Sequence, residues 1–471
     1  EPPLLNAPSC LKFFDDGHIN TNSRIDSAPM SLFRCARLRR SRLLISITFA
    51  LAFVAAASIF LGPTLYEKFI EIRYRFQLLE ARVNSLGTSQ AATIVGYQKA
   101  RGDAVFAVPT TQSPFNDAGK WELVGGEGVN ESWPGGEFFK TKALTVHDDD
   151  LFTGLASSDP GRAAVWRFDG QRWQEVASAS LLPDWGSLSI VNALHSFEGA
   201  LYAAINEQVW VSEGDEWRAL RNPPLTKGSM AYALSDWEGA LVVGIMNAAP
   251  RVLTFKEGRW LDMSAGLPEY AGGGVYELHK HTDGKLYAGT ISNNAPGKVF
   301  RWDGDHWTQV GGRVNGSWIS AGSTYPLSFA SYQNTLVVTL NRNPQIFSGF
   351  VSIWAQQRNG WRPIGRRNMP QLWGESDNFN ASIEYRGSLY VGSGGAPAGK
   401  AAVWELTPSG WRQVGGHGLY GSWSLDGSRL SGSRHATREY VYRLIEWRGQ
   451  LVAGFGDAPG AAQVWAYTPA D

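Results

Sequence analysis

The chain has few cysteines and no surplus of charge. Among its 471 residues the only thiols are Cys10 and Cys35, so everything beyond residue 35 must fold without a disulfide and take its stability from packing. Lys plus Arg balances Asp plus Glu at 43 each, which leaves no global field to draw a polyanion and weighs against nucleic acid binding. Missing too are a P-loop, a GxGxxG run after a strand, a Ser-His-Asp elbow and an evident pair of carboxylates. No catalytic residue, cofactor or metal site is therefore expected from motifs. What the chain has in plenty is 53 Gly, 20 Trp, 16 Tyr and 22 Phe, with only 18% charged residues. That composition favours β structure with many tight turns.

Residues 43–62, LLISITFALAFVAAASIFLG, contain no charge and would form about 30 Å of helix, enough to cross a bilayer's hydrocarbon core. Before them stand Arg34, Arg37, Arg39, Arg40 and Arg42, with no acid between Met30 and Arg42. By the positive-inside rule the segment is a signal anchor, with 1–42 as a cytoplasmic leader and the rest exported. Met30 has the place of a start site, and 1–29 shows no apolar periodicity. The competing reading is a cleaved signal peptide, with a small-residue site at Ala55, Ala56 and Ala57. Residues 63–87 read as a helical stalk. Leu65, Phe69, Ile72, Phe76, Leu79, Val83 and Leu86 follow the a/d spacing of a coiled coil, so copies are expected to associate through 65–86. Residues 88–118, rich in Gly, Thr, Ser, Gln and Pro, read as a linker.

From 119 to 471 one pattern repeats. A strand of the type LYVG recurs as LFTG at 151, LYAA at 201, LVVG at 241, LYAG at 286, LVVT at 336, LYVG at 389 and LVAG at 451. Each is followed by a strand at Val165-Trp166, Val209-Trp210, Val252-Leu253, Val299-Phe300, Ile353-Trp354, Val403-Trp404 or Val464-Trp465. A last strand then opens at Trp173, Trp217, Trp260, Trp307, Trp361 or Trp411. The spacing of about 50 residues suits a four-stranded propeller blade. Seven second strands meet only six closing strands, and the stretch GKWELVGG at 119–126 precedes every repeat. The expected fold is an all-β, seven-bladed β-propeller in which Trp121 opens the outer strand of the last blade, because an unclosed ring would expose strand edges.

The order of features resembles the kelch-type propeller repeat: a second strand ending in Gly, a turn near an Asp, and a Trp opening the fourth strand. The likeness lies in feature order, since these second strands carry one Gly or none where kelch repeats carry a pair. It implies a propeller and no particular chemistry.

Short hairpins such as Glu198-Gly199, Asp169-Gly170 and Asp303-Gly304 would share one face of such a ring. The other face collects loops such as ASSDPGRAA and ISNNAPGK, with the crossings that carry Trp133, Trp185, Trp318, Trp373 and Trp423. Long loops on a rigid scaffold are the usual place for binding residues, which makes Asp159, Asn293, Asn294, Trp133, Trp318 and Trp423 the candidate binding face. The same Trp residues also suit structural wedges between blades. His195 and His279 occupy one register on inner strands and could approach a metal across the channel, although other blades put Thr145 and Ser235 there. His147-Asp148-Asp149-Asp150 reads as a solvated turn. The sequence thus points to a membrane-anchored exported module that binds a protein or a glycan. Its rival is an exported enzyme acting on carbohydrate at the central channel, since propeller active sites assemble from several blades and leave little local trace.

Overall fold

The computed structural model describes residues 119–469 except 137, 215, 221–222, 271, 293–294, 315–316, 319–323, 343–351, 366–377, 396–400, 417–418, 424–438 and 457–459. All of these belong to the compact unit Val105–Asp471. The expected leader, membrane span, stalk and linker at 1–118 lie outside the described residues. Among the described residues no helix is long and apolar enough to cross a membrane.

The described chain is all-β and propeller-like. Four-stranded antiparallel meanders follow one another at 140–178, 191–219, 230–262, 273–311, 324–365 and 378–415. The last unit has three strands of its own at 439–468 and takes Lys120–Gly125 as a fourth, with Trp121 opposite Tyr467 and Leu123 opposite Trp465.

Both faces of these sheets are covered by neighbouring units, so second strands read as apolar runs where a half-exposed strand would alternate. In Asp150–Ala156 every residue is buried. The terminal Gly of the LFTG and LYVG strands marks the tightest approach of the next unit. A Cβ on Gly154 would meet Val191 at 2.3 Å, and one on Gly392 would meet Val441 at 2.4 Å. In the LVVT strand, Thr339 instead donates its hydroxyl to the Phe379 carbonyl of the next unit at 2.8 Å. The last unit meets the first in the same way: Thr141 Oγ1 lies 2.9 Å from the Phe455 carbonyl, and Lys140 pairs with Gly456.

The repeated tryptophans form a second layer of connections at the outer strands. Trp173 gives its indole N–H to the Val124 carbonyl at 2.7 Å, Trp307 to Met263 at 2.6 Å, Trp361 to Val310 at 2.7 Å and Trp411 to Ile364 at 2.9 Å. Each acceptor lies three residues beyond the Trp of the neighbouring outer strand. Trp121 obeys the same rule by donating to Val414 at 2.7 Å.

The crossing tryptophans sit behind this belt. Trp133 packs edge-on against Trp166 and Trp173, Trp185 against Trp210 and Trp217, Trp318 against Trp354 and Trp361, and Trp423 against Trp465 and Trp121. These aromatic triads repeat from unit to unit, and Trp121 completes the last of them. Trp373 lies outside the described residues.

Hairpins between first and second strands are two-residue turns with positive φ in most units, as at Asp148 and Asp149 (48° and 66°) and at Glu198 and Gly199 (50° and 74°), while the fourth unit turns through 281–285. Their twist matches that of the paired strands.

Candidate functional site

The innermost strands are Lys140–His147, Val191–Phe197, Met230–Trp237, Gly273–Lys280, Thr324–Tyr332, Asn378–Tyr385 and Glu439–Trp447. In each, pairing with the second strand slips at one place, for example between Val191 and Ala193, Val275 and Glu277, or Val441 and Arg443. Such a bulge turns an extra side chain toward the axis. The residue after the slip is Ala143, Ala193, Ala233 or Ala381 in four units, but Glu277, Ser328 and Arg443 in the others. Because each inner strand begins opposite its hairpin, this tier lies toward the long-loop face.

Here the channel widens into a cavity of ≈ 290 Å³ lined by Lys142, Tyr232, Tyr276, Glu277, Tyr442 and Arg443, among others. Arg443 donates to Glu277 at 2.8 Å across the channel. Attraction to Glu277 is the main reason that the guanidinium pKa is raised further. Lys142 is the outlier. Its Nζ is buried without a hydrogen-bond partner, 3.1 Å from the centre of the Tyr232 ring and 5.0 Å from that of Tyr276. Burial first, then repulsion from Lys140 and Arg443, holds its pKa well below the usual 10.5 despite the opposing pull of Glu277. Burial likewise pushes the Tyr232 phenol well up.

A second cavity of ≈ 390 Å³ continues toward the hairpins and shares Glu277 and Arg443 with the first. In it Asp236 accepts from Lys280 at 2.5 Å and faces His195 Nε2 at 3.3 Å. The His195 hydrogen bond first, then Lys280, lowers the Asp236 pKa to about 2 against the cost of burial. His279 Nε2 and His281 Nδ1 both reach the Ser331 hydroxyl, at 3.0 and 2.7 Å. Burial lowers the His279 pKa to about 3, so that imidazole is neutral at physiological pH. His195 and His279 therefore share a register but not a partner, and among the described residues no group of three His, Cys, Asp or Glu could hold a metal ion.

Of the residues singled out from sequence, Asp159 is exposed on its loop, with its backbone N–H 3.2 Å from Ser157 Oγ. Asn293 and Asn294 lie outside the described residues. Trp133, Trp318 and Trp423 are 1%, 4% and 7% exposed. Their rings fill the gaps between units and offer little surface to a partner. Lys142, Tyr232, Glu277 and Arg443 belong to no motif and were not singled out. A signal was present in the repeat itself, where inner strands read KAL, NAL and YAL but YEL and YRL in two units. Charge replacing alanine at one register marks a pair that meets across the axis.

No protein-family model matches the chain, and no curated protein does. Among solved structures, the extracellular domain of a hybrid two-component system from B. thetaiotaomicron is 9% identical with a TM-score of 0.49, over 74% of this chain and 39% of that one. YCF48 from Cyanidioschyzon merolae is 10% identical with a TM-score of 0.49, over 75% of this chain and 100% of that one. YCF48 bound to D1 peptide is 13% identical with a TM-score of 0.47, over 75% of this chain and 96% of that one.

Proposed function

We propose that the chain is an exported binding module: a seven-bladed propeller closed by Lys120–Gly125 and anchored in a membrane by 43–62. Residues 63–87 form its stalk, through which copies associate at 65–86, and 88–118 its linker. Its partner is a protein or a glycan, engaged on the long-loop face. One observation carries this reading, the asymmetry between the two faces. Two-residue turns such as Asp148-Asp149 leave little chain with which to grip a partner, whereas the opposite face holds the long connections and the Lys142 end of the channel.

A carbohydrate-acting enzyme fits the channel less well. Glycoside hydrolysis needs paired carboxyls, one of which keeps its proton near neutral pH. Glu277 is tied to Arg443, and Asp236 is held at about 2 by His195 and Lys280. An Asp236 held so low is not suited to be the acid.

The test is capture of partners by the full chain and its variants. Asp159→Ala, or Asn293→Ala with Asn294→Ala, should weaken capture while changing stability by under about 0.5 kcal/mol. Gly304→Val, at a turn with φ of 108°, should cost roughly 1 kcal/mol and spare capture. The opposite pattern, with affinity lost only on the hairpin face, would sink the proposal.

A further inference from the structure

Lys142 has a charge's surroundings without a counterpart. The charged groups acting on it are Lys140 from its own strand, Arg443 from the last unit and Glu277 from the fourth, and Glu277 is already engaged by Arg443. Glu446, which also borders the cavity, is exposed near the hairpin end of its strand. The remaining walls around Nζ are phenol rings: Tyr232 and Tyr276 lie 4.9 Å apart, and the Tyr442 ring lies under Lys140 at 5.5 Å. A buried ammonium with no acceptor is unfavourable, and fold stability alone does not explain retaining it. The Lys142 ammonium, which stands outside the Glu277–Arg443 pair and beside open volume, favours an incoming anion. The small cavity, walled by Tyr232, Tyr276 and Tyr442 among aliphatic and amide side chains, suits a singly charged planar group better than a doubly charged, strongly hydrated phosphate.

We infer that this end of the channel binds a small organic carboxylate, whose oxygens supply the acceptor that Lys142 lacks while its body occupies the ≈ 290 Å³ beside Tyr232 and Tyr276. This rests on the long-loop face being the binding face, because the cavity lies at that end. A consequence concerns protons. The free amine gives up its proton more readily than an ordinary lysine, and a bound carboxylate restores it. Above the lowered pKa of the free amine, binding therefore takes up a proton, and affinity falls as pH rises. A sugar acid and an acidic amino acid offer the same group.

Titration calorimetry on the full chain, in two buffers of different ionisation heat, distinguishes these sources. The probes are glucuronate against glucose and the α-amide of N-acetylglutamate against the α-amide of N-acetylglutamine. The expected result is binding of one or both acids with proton uptake and no binding of the neutral counterparts. Lys142→Met should weaken it roughly tenfold or more without lowering the melting temperature. Proton uptake in the wild type keeps the inference testable if that variant does not fold. Binding of the neutral probes as tightly as the acids, no binding of either acid, preference for inorganic phosphate, absence of proton uptake, or undiminished binding by Lys142→Met would overturn it. If the acids do not bind but partner capture still depends on Asp159, the inference fails and the proposed function stands. If acids bind but loop changes leave capture intact, the reverse holds.

Discussion

On the outer strands Trp121, Trp173, Trp307, Trp361 and Trp411 each hand their indole hydrogen to a carbonyl of the neighbouring unit, whereas in the channel Lys142 has no acceptor. The two regions are built from the same repeat and differ in how far they keep to it. On the outer strands these indoles find acceptors at a fixed offset in the preceding unit, and the arrangement serves cohesion. Where the sequence departs from the repeat, at Lys142, Glu277 and Arg443, charge gathers around a cavity. Departure from the repeat, more than any motif, separates the charged channel from the cohesive rim here.

The strongest way to break this comparison is at the rim. Deleting 119–126 removes Trp121 together with the strand facing Val464–Thr468, so the full chain should aggregate or melt far below the wild type. Deleting 92–116 should leave the melting temperature unchanged. Equal melting temperatures would show that the belt does not depend on Trp121. Next in size is Trp423→Ala, which empties a stack against Trp121, Phe455 and Trp465 and should cost about 3–5 kcal/mol in chemical denaturation. A loss within about 0.5 kcal/mol would mean that the crossing tryptophans are not wedges.

Channel substitutions should cost less. Arg443→Met strands the Glu277 carboxylate, but the arginine side chain is 38% exposed, so screening limits the loss to about 1–2 kcal/mol. Adding Glu277→Gln should recover part of it in a double-mutant cycle. Smallest, and opposite in sign, is Lys142→Met, which should leave stability unchanged or slightly raised at neutral pH. The folded-state pKa of Lys142 lies below its unfolded value of 10.5, so between the two the unfolded chain binds the extra proton. Wild-type stability should therefore rise relative to the variant as pH climbs toward 10.5, and parallel stability curves would contradict the burial of that amine.

Much of the scaffold was legible because each signal is local. The LYVG strands and the Trp openings mark second and fourth strands wherever they occur, and Trp121, which opens a strand with no repeat before it, pairs with Tyr467 of the last unit. The channel was not legible in the same way. Lys142 owes its surroundings to Tyr232, Tyr276 and Arg443, which stand on three other inner strands far along the chain. Only their places at a bulge link them, Lys142, Tyr232 and Tyr276 within it and Arg443 just after it, and bulges leave no mark in spacing. Asp159 and the tryptophans were read from loop length and composition, which locate a face but do not say which side chains the packing consumes.

The pairing of Lys120 with Thr468 also sets an order in time. Among the described strands Lys120–Gly125 emerges first during synthesis, yet its partner Val464–Thr468 is made last. Until then the first-made segment has no neighbour on which to settle, and a growing chain cannot complete the fold however much of it has appeared. Long-range closure of this kind is slow and leaves strand edges open to other molecules in the interval. Termination before residue 464 would leave Lys120–Gly125 without its partner strand.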